Sequence, residues 1–276
     1  MLYFNGKPLT VGHFPNKELY LDTDFLERQY RHRDWVISLR FESNDDLIAL
    51  ALLKGQMDDM GFENVTLFCP FFPYSTMDHV EDNTRPLSLK YVAQFINRLN
   101  FKKVSVWEPH STVLAALVDR LDVYGSKTME LFRIAMDYLP GVKDPVICFP
   151  DLGAEKRYVG NCGDYHTLTF QKVRDFSSGK ITGMRCVDDI SAASGKTCIL
   201  LDDLCRGGRT FIGCAELLKE AGAQQVILCV THMEQGAFNG VLKDGSPVDK
   251  VYATNTCLPC VFPIPLPNKL YLESAF

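Results

Sequence analysis

The sequence predicts an α/β fold with two domains, in which parallel sheets are flanked by helices. A strand, a helix and a second strand follow one another between residues 34 and 68, and a strand, a short loop and a helix follow one another over 197–222. Such alternation is typical of parallel sheets whose ligands bind at the carboxyl ends of the strands. The length of 276 residues is sufficient for two domains with separate cores. We place these domains at residues 1–140 and 141–276.

Apolar periodicity gives the elements of the first domain in chain order. Leu47, Leu50, Leu53 and Met57 recur at helical spacing after an N-cap at Ser43 or Asn44. The predicted elements are a strand at 34–41, a helix at 43–61, a strand at 64–68, a helix at 87–99, a strand at 104–106 and a helix through 114–138.

The second domain is predicted to begin near Gly141 with the strand VICFPD. Lys172 and Arg174 lie two residues apart on a predicted strand edge that enters a loop. Further on, the apolar run 198–201 predicts a strand and the segment from Phe211 to Gly222 an amphipathic helix. One later strand is predicted at 225–231, and the segment VYATNT follows at 251–256.

Composition limits the class of protein. No apolar run approaches the roughly 20 residues of a membrane span, and the first residues lack the order of a signal peptide. The net charge of −5 gives no general attraction to nucleic acid or to anionic membranes. The ten cysteines show no zinc spacing. We therefore expect a cytoplasmic protein with reduced thiols and no nucleic-acid or membrane partner.

The segment TCILLDDLCRGGRT carries the clearest chemistry. A loop between a strand and a helix sets backbone N–H groups at the helix N-terminus, where they and the helix dipole stabilise an anion. Gly207 and Gly208 allow a close approach of the backbone, and Asp202 and Asp203 can accept hydrogen bonds from hydroxyls or bind a cation. A phosphate beside vicinal hydroxyls is the chemistry of ribose 5-phosphate. The alternative is an ordinary strand-to-helix connection in which the glycines only form the turn.

These residues carry a resemblance to known proteins. DDLCRGGRT resembles the ribose-phosphate loop of the phosphoribosyltransferase fold, and nearly the whole chain resembles ribose-phosphate pyrophosphokinases (PRPP synthetases). The resemblance implies two tandem phosphoribosyltransferase-like (type I) domains with the active site in the cleft between them. It also implies a Mg²⁺-dependent transfer of the β,γ-diphosphate of ATP to the anomeric hydroxyl of a ribose 5-phosphate unit, with release of AMP.

The resemblance assigns an ATP site in the first domain. HFPNKE is similar to a hairpin that enters the ATP site of a neighbouring subunit, which implies a homo-oligomer, a dimer or larger. In CPFFPYSTMDHV the family's Arg and Gln are replaced by Thr76 and Met77, and neither side chain supplies the bidentate donor of an arginine. His79 or Arg85 are candidates to compensate. The ATP-binding residues implied are Phe14, Asn16, Glu18, Tyr74, Asp78 and His110.

The resemblance also assigns the metal and catalytic residues. His110 and Asp151 correspond to positions beside Mg²⁺, with Asp151 in a PDLGAEKRYVG segment close to the family pattern. Lys172 and Arg174 match the pair that covers the ATP phosphates, where positive charge stabilises the migrating negative charge of the transition state.

The acceptor loop departs from the family. Asp202 and Asp203 would hold the ribose hydroxyls, but the family's Asp-Thr-Gly-Gly-Thr is replaced here. The change adds two arginines and removes a hydroxyl, which favours a longer anion such as the diphosphate of ADP-ribose. The sequence also resembles divergent, often phage-borne relatives linked to NAD salvage. Free ribose 5-phosphate, a non-catalytic synthetase-associated protein and a transferase that consumes PRPP are the alternatives. The loop residues expected to bind the ribose phosphate are Arg206, Gly207, Gly208, Arg209 and Thr210.

Overall fold

The computed structural model describes residues 1–29, 33–80, 84–139, 141–142, 144–174, 181–258 and 268–276. For Arg174 and Ile181 it describes the backbone alone. The chain forms two compact units, Met1–Gly125 together with Phe276, and Ser126–Ala275.

The first unit contains a six-stranded sheet and a separate two-stranded hairpin of β3 and β4. In the large sheet, β5, β6, β7 and β8 run parallel, and β1 and β2 extend the β5 edge in antiparallel pairing. The sheet order is β2-β1-β5-β6-β7-β8. The elements are β1 (Leu2–Phe4), β2 (Lys7–Pro8), β3 (Val11–His13), β4 (Leu19–Leu21), β5 (Trp35–Leu39), α1 (Asn44–Asp59), β6 (Val65–Phe68), α2 (Ser88–Arg98), β7 (Lys103–Trp107), α3 (Val113–Leu117) and β8 (Leu121–Tyr124).

The second unit contains one seven-stranded sheet of order β11-β10-β9-β12-β13-β14-β15. All neighbouring pairs are parallel except β10 with β11. The elements are α4 (Lys127–Asp137), β9 (Val146–Phe149), α5 (Leu152–Tyr158), β10 (Thr167–Arg174), β11 (Ile181–Cys186), β12 (Thr197–Cys205), α6 (Arg209–Glu220), β13 (Gln225–Met233), β14 (Lys250–Thr254) and β15 (Leu270–Glu273). Short 3₁₀ helices are Asp24–Arg28, Val159–Asn161, Ile190–Ala193 and Gln235–Asn239.

Both faces of the second sheet are covered, as the sequence predicted. Successive side chains of a strand point to opposite faces, so Leu200 packs in one core with α6, and Leu201 packs in the other with α4 and α5. This arrangement explains why β12 begins as a continuous apolar run rather than an alternating one. The predicted α/β class with parallel sheets is confirmed.

The first turn of α1 shows how the sequence begins a helix. Ser43 is the N-cap, and the side chain of Asp46 accepts hydrogen bonds from the backbone N–H groups of Ser43 (2.9 Å) and Glu42 (2.7 Å). These bonds satisfy donors that a helix start leaves without partners. Leu50, Leu53 and Met57 are buried, as their spacing predicted.

The structure corrects two predictions about the region between the units. The helix predicted through 114–138 is wrong, because β8 interrupts it and pairs with β7 at the sheet edge. β8 has only four residues, which is too short for a clear alternating pattern. Because the residues around it favour helix, the sequence pattern predicted one continuous helix. The apolar face of α4 packs on the second sheet, so residues 126–139 belong to the second unit, whereas the boundary drawn from the sequence lies beyond that helix.

No helix in the described part of the chain has both the length and the apolarity needed to cross a membrane. The cysteines that the structure describes are free thiols, most of them buried.

Candidate active site

Acidic and basic side chains meet at the carboxyl edge of the second sheet. β10, β9 and β12 are adjacent parallel strands, so the ends of these strands lie at the same edge. Lys172 comes from β10, Asp151 follows β9, and Asp202 and Asp203 belong to β12. The topology thus brings together residues that the sequence separates by up to about fifty positions.

Asp202 and Asp203 differ in their surroundings. Asp203 is only 3% exposed, and one of its carboxylate oxygens lies 3.7 Å from Nη1 of Arg157. Oδ1 of Asp202 accepts a hydrogen bond from the N–H of Asp203 (2.9 Å), while the backbone carbonyl of Asp202 accepts one from the Thr128 hydroxyl (2.8 Å). Burial, together with the neighbouring carboxylates of Asp203 and Asp151, raises the pKa of Asp202 well above its ordinary value. Asp202 is therefore the acid whose charge most needs a hydroxyl donor or a cation.

Asp151 has one occupied and one available oxygen. It is the N-cap of α5, and its Oδ1 accepts hydrogen bonds from the N–H groups of Gly153 (3.0 Å) and Ala154 (3.1 Å). Its Oδ2 lies 3.5 Å from Nζ of Lys172. The capping bonds fix the orientation of the carboxyl group and turn the second oxygen towards the basic side chain.

The donor set fits a magnesium ion that substrate phosphates help to hold. Within the described ranges, no group of three or more His, Cys, Asp or Glu side chains is arranged to bind a metal. Mg²⁺ usually takes one or two protein carboxylates and completes its shell with water and substrate phosphates. Oδ2 of Asp151 suits that role. His110, the other predicted metal residue, belongs to the first unit, and its joint role with Asp151 stays a prediction.

The Cys214 thiol is influenced by several of these charged groups. This α6 residue is buried, and burial raises the pKa of its thiol. The carboxylates of Asp151 and Asp202 raise that pKa further, and the ammonium group of Lys172 lowers it. Lys172 lines one groove together with Arg209, Thr210 and Gly213 of α6, so the pair of Lys172 and Asp151 lies beside the N-terminal half of that helix.

The predicted phosphate loop is shorter than the sequence suggested. β12 continues to Cys205 and α6 begins at Arg209, so only Arg206, Gly207 and Gly208 lie between them. The helix start predicted at Phe211 is thus wrong by two residues, because Arg209 and Thr210 form the first helical turn. Their backbone N–H groups are among the donors that a helix start leaves free for an anion.

Glycine is required at the second of the two loop positions. Gly208 is the N-cap of α6 with φ +81°, and a Cβ there would meet Cβ of Val241 at 2.5 Å. Gly207 has open space around it, but its carbonyl oxygen would lie 1.7 Å from a Cβ placed on Gly240. The loop is therefore held tightly from the side of residues 240–241, and its other side is open at Gly207.

The two loop arginines project outwards. The side chain of Arg206 is 58% exposed, and its Nε lies 3.4 Å from Oε1 of Glu234. Burial raises the pKa of Glu234, and the charge of Arg206 lowers it. Arg209 is exposed on the first turn of α6. The loop and the first helical turn therefore present two cationic side chains at the surface, one of which is paired with Glu234.

The first unit brings several predicted ATP residues to the edge formed by β5, β6 and β7. The hydroxyl of Tyr74 donates to Oδ1 of Asn44 (2.8 Å), and its ring lies 5.8 Å from that of Phe41. Although burial opposes the change, hydrogen bonds from His79 (2.9 Å) and Ser111 hold the pKa of Asp78 below its ordinary value. Ser111 follows His110 directly in the chain, so the Tyr74–Asp78 segment and the His110 segment lie side by side.

The predicted adenine hairpin is formed by β3 and β4. Phe14, Asn16 and Glu18 are all exposed, and the Phe14 ring lies 4.8 Å from the ring of Tyr20. Oδ1 of Asn16 accepts a hydrogen bond from the N–H of Glu18 (3.1 Å), which leaves its amide NH₂ and the Glu18 carboxylate to face solvent. The contact of this hairpin with a neighbouring subunit stays a prediction.

Three residues of the site were not among the predicted site residues. Arg157 neutralises Asp203, Thr128 holds the backbone of Asp202, and Glu234 pairs with Arg206. The basic pair Lys156–Arg157 after PDLGAE was a usable signal for the first. No sequence signal identified Thr128 or Glu234, because only the order of the strands in the sheet brings these residues next to the site. The predicted catalytic residue Arg174 ends β10, and its side chain lies outside the described part.

Comparison with known proteins agrees with this arrangement. The model of the phosphoribosyl synthetase-associated domain matches residues 166–261. A ribose-phosphate pyrophosphokinase of Aquifex aeolicus is 28% identical over 232 residues, covering 80% of this chain and 70% of the relative. One of Corynebacterium efficiens is 26% identical over 234 residues, covering 82% and 69%. The crystal structure of phosphoribosylpyrophosphate synthetase from Mycobacterium smegmatis superposes with a TM-score of 0.74 at 23% identity, covering 97% of this chain and 86% of that one, and so shares its fold.

The comparisons of fold and of sequence agree. The fold matches a synthetase structure along almost its whole length, and the relatives named above are ribose-phosphate pyrophosphokinases. The chain is similar in sequence to ribose-phosphate pyrophosphokinases (PRPP synthetases), which are diphosphotransferases, and it shares the fold of a solved member of that family.

Proposed function

We propose that this chain is a Mg²⁺-dependent diphosphokinase that transfers the β,γ-diphosphate of ATP to the anomeric hydroxyl of a ribose 5-phosphate unit. The observation that carries the proposal is the convergence of Asp151, Lys172, Asp202 and Asp203 on one edge of adjacent parallel strands, with Lys172 beside the first turn of α6. In the reaction, the anomeric oxygen bonds to the β-phosphorus and loses its proton to solvent. The bond from that phosphorus to the α,β-bridging oxygen breaks, and AMP departs.

The residues have distinct roles in this proposal. Asp202 and Asp203 accept hydrogen bonds from the ribose hydroxyls, and the Arg157 guanidinium lies beside the buried Asp203 carboxyl group. The loop and the first turn of α6 hold the phosphate. Lys172 and Arg174 stabilise the negative charge that migrates during transfer. Asp151 would hold a Mg²⁺ ion, which would supply positive charge against the polyphosphate. Nζ of Lys172 lies 3.5 Å from Oδ2 of Asp151. When ATP binds, the ammonium group contacts a phosphate oxygen instead of this carboxylate.

The acceptor that we favour is ADP-ribose, giving ADP-ribose pyrophosphate, a product that suits NAD salvage. Phosphate monoesters are best enclosed by short hydroxyl and N–H donors, and Gly207 offers no hydroxyl. The open space at Gly207 and the exposed cations Arg206 and Arg209 instead suit a diphosphate. Free ribose 5-phosphate, on which the named relatives act, is the second candidate.

A non-catalytic, synthetase-associated role is the remaining candidate. It is favoured by the description of the matching family model and by Thr76 and Met77 in place of the family's Arg and Gln. The pairing of Lys172 with Asp151 and the position of Asp203 on the same sheet edge favour catalysis instead, because these are the charged groups that the proposed transfer needs.

The test is AMP release from ATP and Mg²⁺ with each acceptor at equal concentration. The wild type is expected to act faster on ADP-ribose than on ribose 5-phosphate. The double change Gly207→Thr with Arg209→Gly brings two of the three differing loop positions back to the family pattern, and the open space at Gly207 admits the new side chain. Loss of a charge-assisted contact costs about 1.5–3 kcal/mol, so selectivity should shift roughly ten- to a hundredfold towards ribose 5-phosphate.

Each outcome separates the candidates. A wild type that prefers ribose 5-phosphate contradicts the ADP-ribose acceptor and leaves a PRPP synthetase with an unusual loop. Absence of AMP release with either acceptor, in protein shown to be folded, contradicts the catalytic proposal and supports the associated-protein role.

A further inference from the structure

A groove of ≈ 430 Å³ lies between the β10–β11 hairpin and α6, within the second unit. Its volume falls in the range of small-molecule sites, about 300–1,000 Å³. Its lining is polar at both ends and apolar between them. The residues that decide its character are Lys172, Met184, Arg209, Thr210, Glu216 and Glu220.

The groove starts at the predicted phosphate loop. Arg209 and Thr210 belong both to this groove and to the first turn of α6, where the proposed acceptor phosphate binds. From there the groove follows the helix to Glu220, a distance of about 16 Å at 1.5 Å per residue. A ligand that continued beyond the acceptor phosphate would therefore enter it.

One face of α6 gives the groove an ordered chemistry. Residues 209, 213, 216 and 220 are spaced at three to four residues and so lie in one row along the helix. The row runs from the cation Arg209, past Gly213, to the carboxylates of Glu216 and Glu220. Gly213 leaves the middle without a side chain, and Met184 packs there so closely that a Cβ on Gly213 would meet its Cγ at 2.8 Å.

These features select a class of ligand. The cationic end attracts a phosphate, the apolar middle suits a flat organic group, and the two exposed carboxylates accept hydrogen bonds from hydroxyl or amino donors. The same carboxylates repel further phosphates, which disfavours the triphosphate of ATP at the far end. A nucleoside 5′-phosphate, joined through its phosphate to the acceptor, has this order of groups.

We propose that the groove is the subsite for the nucleoside half of a nucleoside-diphosphate ribose acceptor. Arg209 binds the distal phosphate, Met184 and Leu217 contact the base or sugar, and Glu216 with Glu220 accept hydrogen bonds from the nucleoside. This inference rests on the proposed ADP-ribose acceptor and adds to it the place where the enzyme distinguishes that acceptor from free ribose 5-phosphate.

The test blocks the groove by Glu216→Trp and removes a carboxylate by Glu216→Gln. Glu216 is exposed on α6, so both variants are expected to fold, and their thermal unfolding is measured beside the wild type. The KM for ADP-ribose divided by the KM for ribose 5-phosphate should rise about tenfold or more in Glu216→Trp and several-fold in Glu216→Gln. Calorimetric binding of ADP-ribose without ATP should weaken in parallel.

The control is Asp59→Trp, which places the same bulky group at an exposed position of α1 and should leave the ratio at its wild-type value. If the wild type uses ADP-ribose and neither Glu216 variant changes the ratio, the subsite is contradicted and the proposed acceptor stands. If the KM for ATP rises instead, the groove serves ATP and the inference is overturned. If the wild type neither uses nor binds ADP-ribose, both the proposed acceptor and the proposed subsite are contradicted.

Discussion

The two units present their sheet edges differently. In the second unit, the polar residues lie within or directly after regular strands and are held by partners, as in the Arg157–Asp203 and Lys172–Asp151 pairs. In the first unit, the corresponding residues lie on longer loops, and Tyr74 (φ +60°) and Glu108 (φ +37°) have left-handed backbone conformations. The residues proposed to bind the acceptor thus lie on or directly after strands, and those proposed to bind ATP lie on loops.

This difference indicates which site residues are positioned by their own unit and which need further contacts. Sites on strands are fixed by the sheet itself, whereas sites on loops depend on added contacts for their geometry. The ATP segment has lost the family's Arg and Gln, and the β3–β4 hairpin exposes Phe14 to solvent. We therefore expect the acceptor residues of the second unit to be positioned by their own sheet and the ATP residues of the first unit to depend on a neighbouring subunit.

The largest expected effect tests the catalytic charges of the second unit. Lys172→Ala or Arg174→Ala should lower kcat by about 10²–10³ with little change in KM, because these charges act in the transition state. Steady-state kinetics at saturating ATP and acceptor measures this. Lys196→Ala, which removes an exposed lysine paired with Asp144, is the control and should keep the wild-type kcat. A raised KM with an unchanged kcat would contradict the assignment.

An intermediate effect tests the dependence of the first unit on a neighbour. Phe14→Ala and Arg174→Ala should each be nearly inactive alone, while an equal mixture after subunit exchange should recover about a quarter of the wild-type activity, since half of the dimers are hybrid and each hybrid has one intact site. Activity of the mixture is compared with that of each variant incubated alone. No recovery after exchange has been verified by mass spectrometry would mean that the hairpin serves its own chain.

The smallest expected effect concerns the stability of the second unit. Burial and the Asp203 carboxylate raise the pKa of Asp202, so the folded protein binds this proton more tightly than the unfolded chain does. The ionised carboxylate therefore costs stability above the unfolded-state pKa of about 3.9, and the cost grows as the pH rises towards the folded-state pKa. Asp202→Asn removes it, and a gain of about 1 kcal/mol would raise Tm by about 2–4 °C.

Thermal unfolding of Asp202→Asn and wild type from pH 4 upwards measures this difference. The Tm advantage of the variant should increase with pH, although its acceptor binding is weakened. Asp58→Asn is not a suitable control because Asp58 pairs with the buried Lys54. Asp59→Asn changes an exposed carboxylate on α1 and should give no pH-dependent difference. A constant or shrinking advantage would show that Asp202 is ionised without cost in the fold.

The sequence by itself determined the α/β class, most elements and the chemistry of the DDLCRGGRT segment. These features are local: side-chain periodicity, an N-cap at Ser43 and glycines beside two acids appear in short windows of sequence. Where periodicity was weak, as at the four-residue β8, the local signal failed, and the helix start at Arg209 was missed because loop and first-turn residues are chemically alike.

The tertiary structure alone decided which charges meet. The order β10-β9-β12 places Lys172, Asp151 and Asp203 at one edge, and no spacing in the sequence predicts that order. The same holds for the Thr128 hydroxyl on the Asp202 carbonyl, for Glu234 beside Arg206, and for the groove between Met184 and α6. Each of these contacts depends on strand pairing over a long sequence separation, because pairing is selected by burial of the whole sheet rather than by the residues that it brings together.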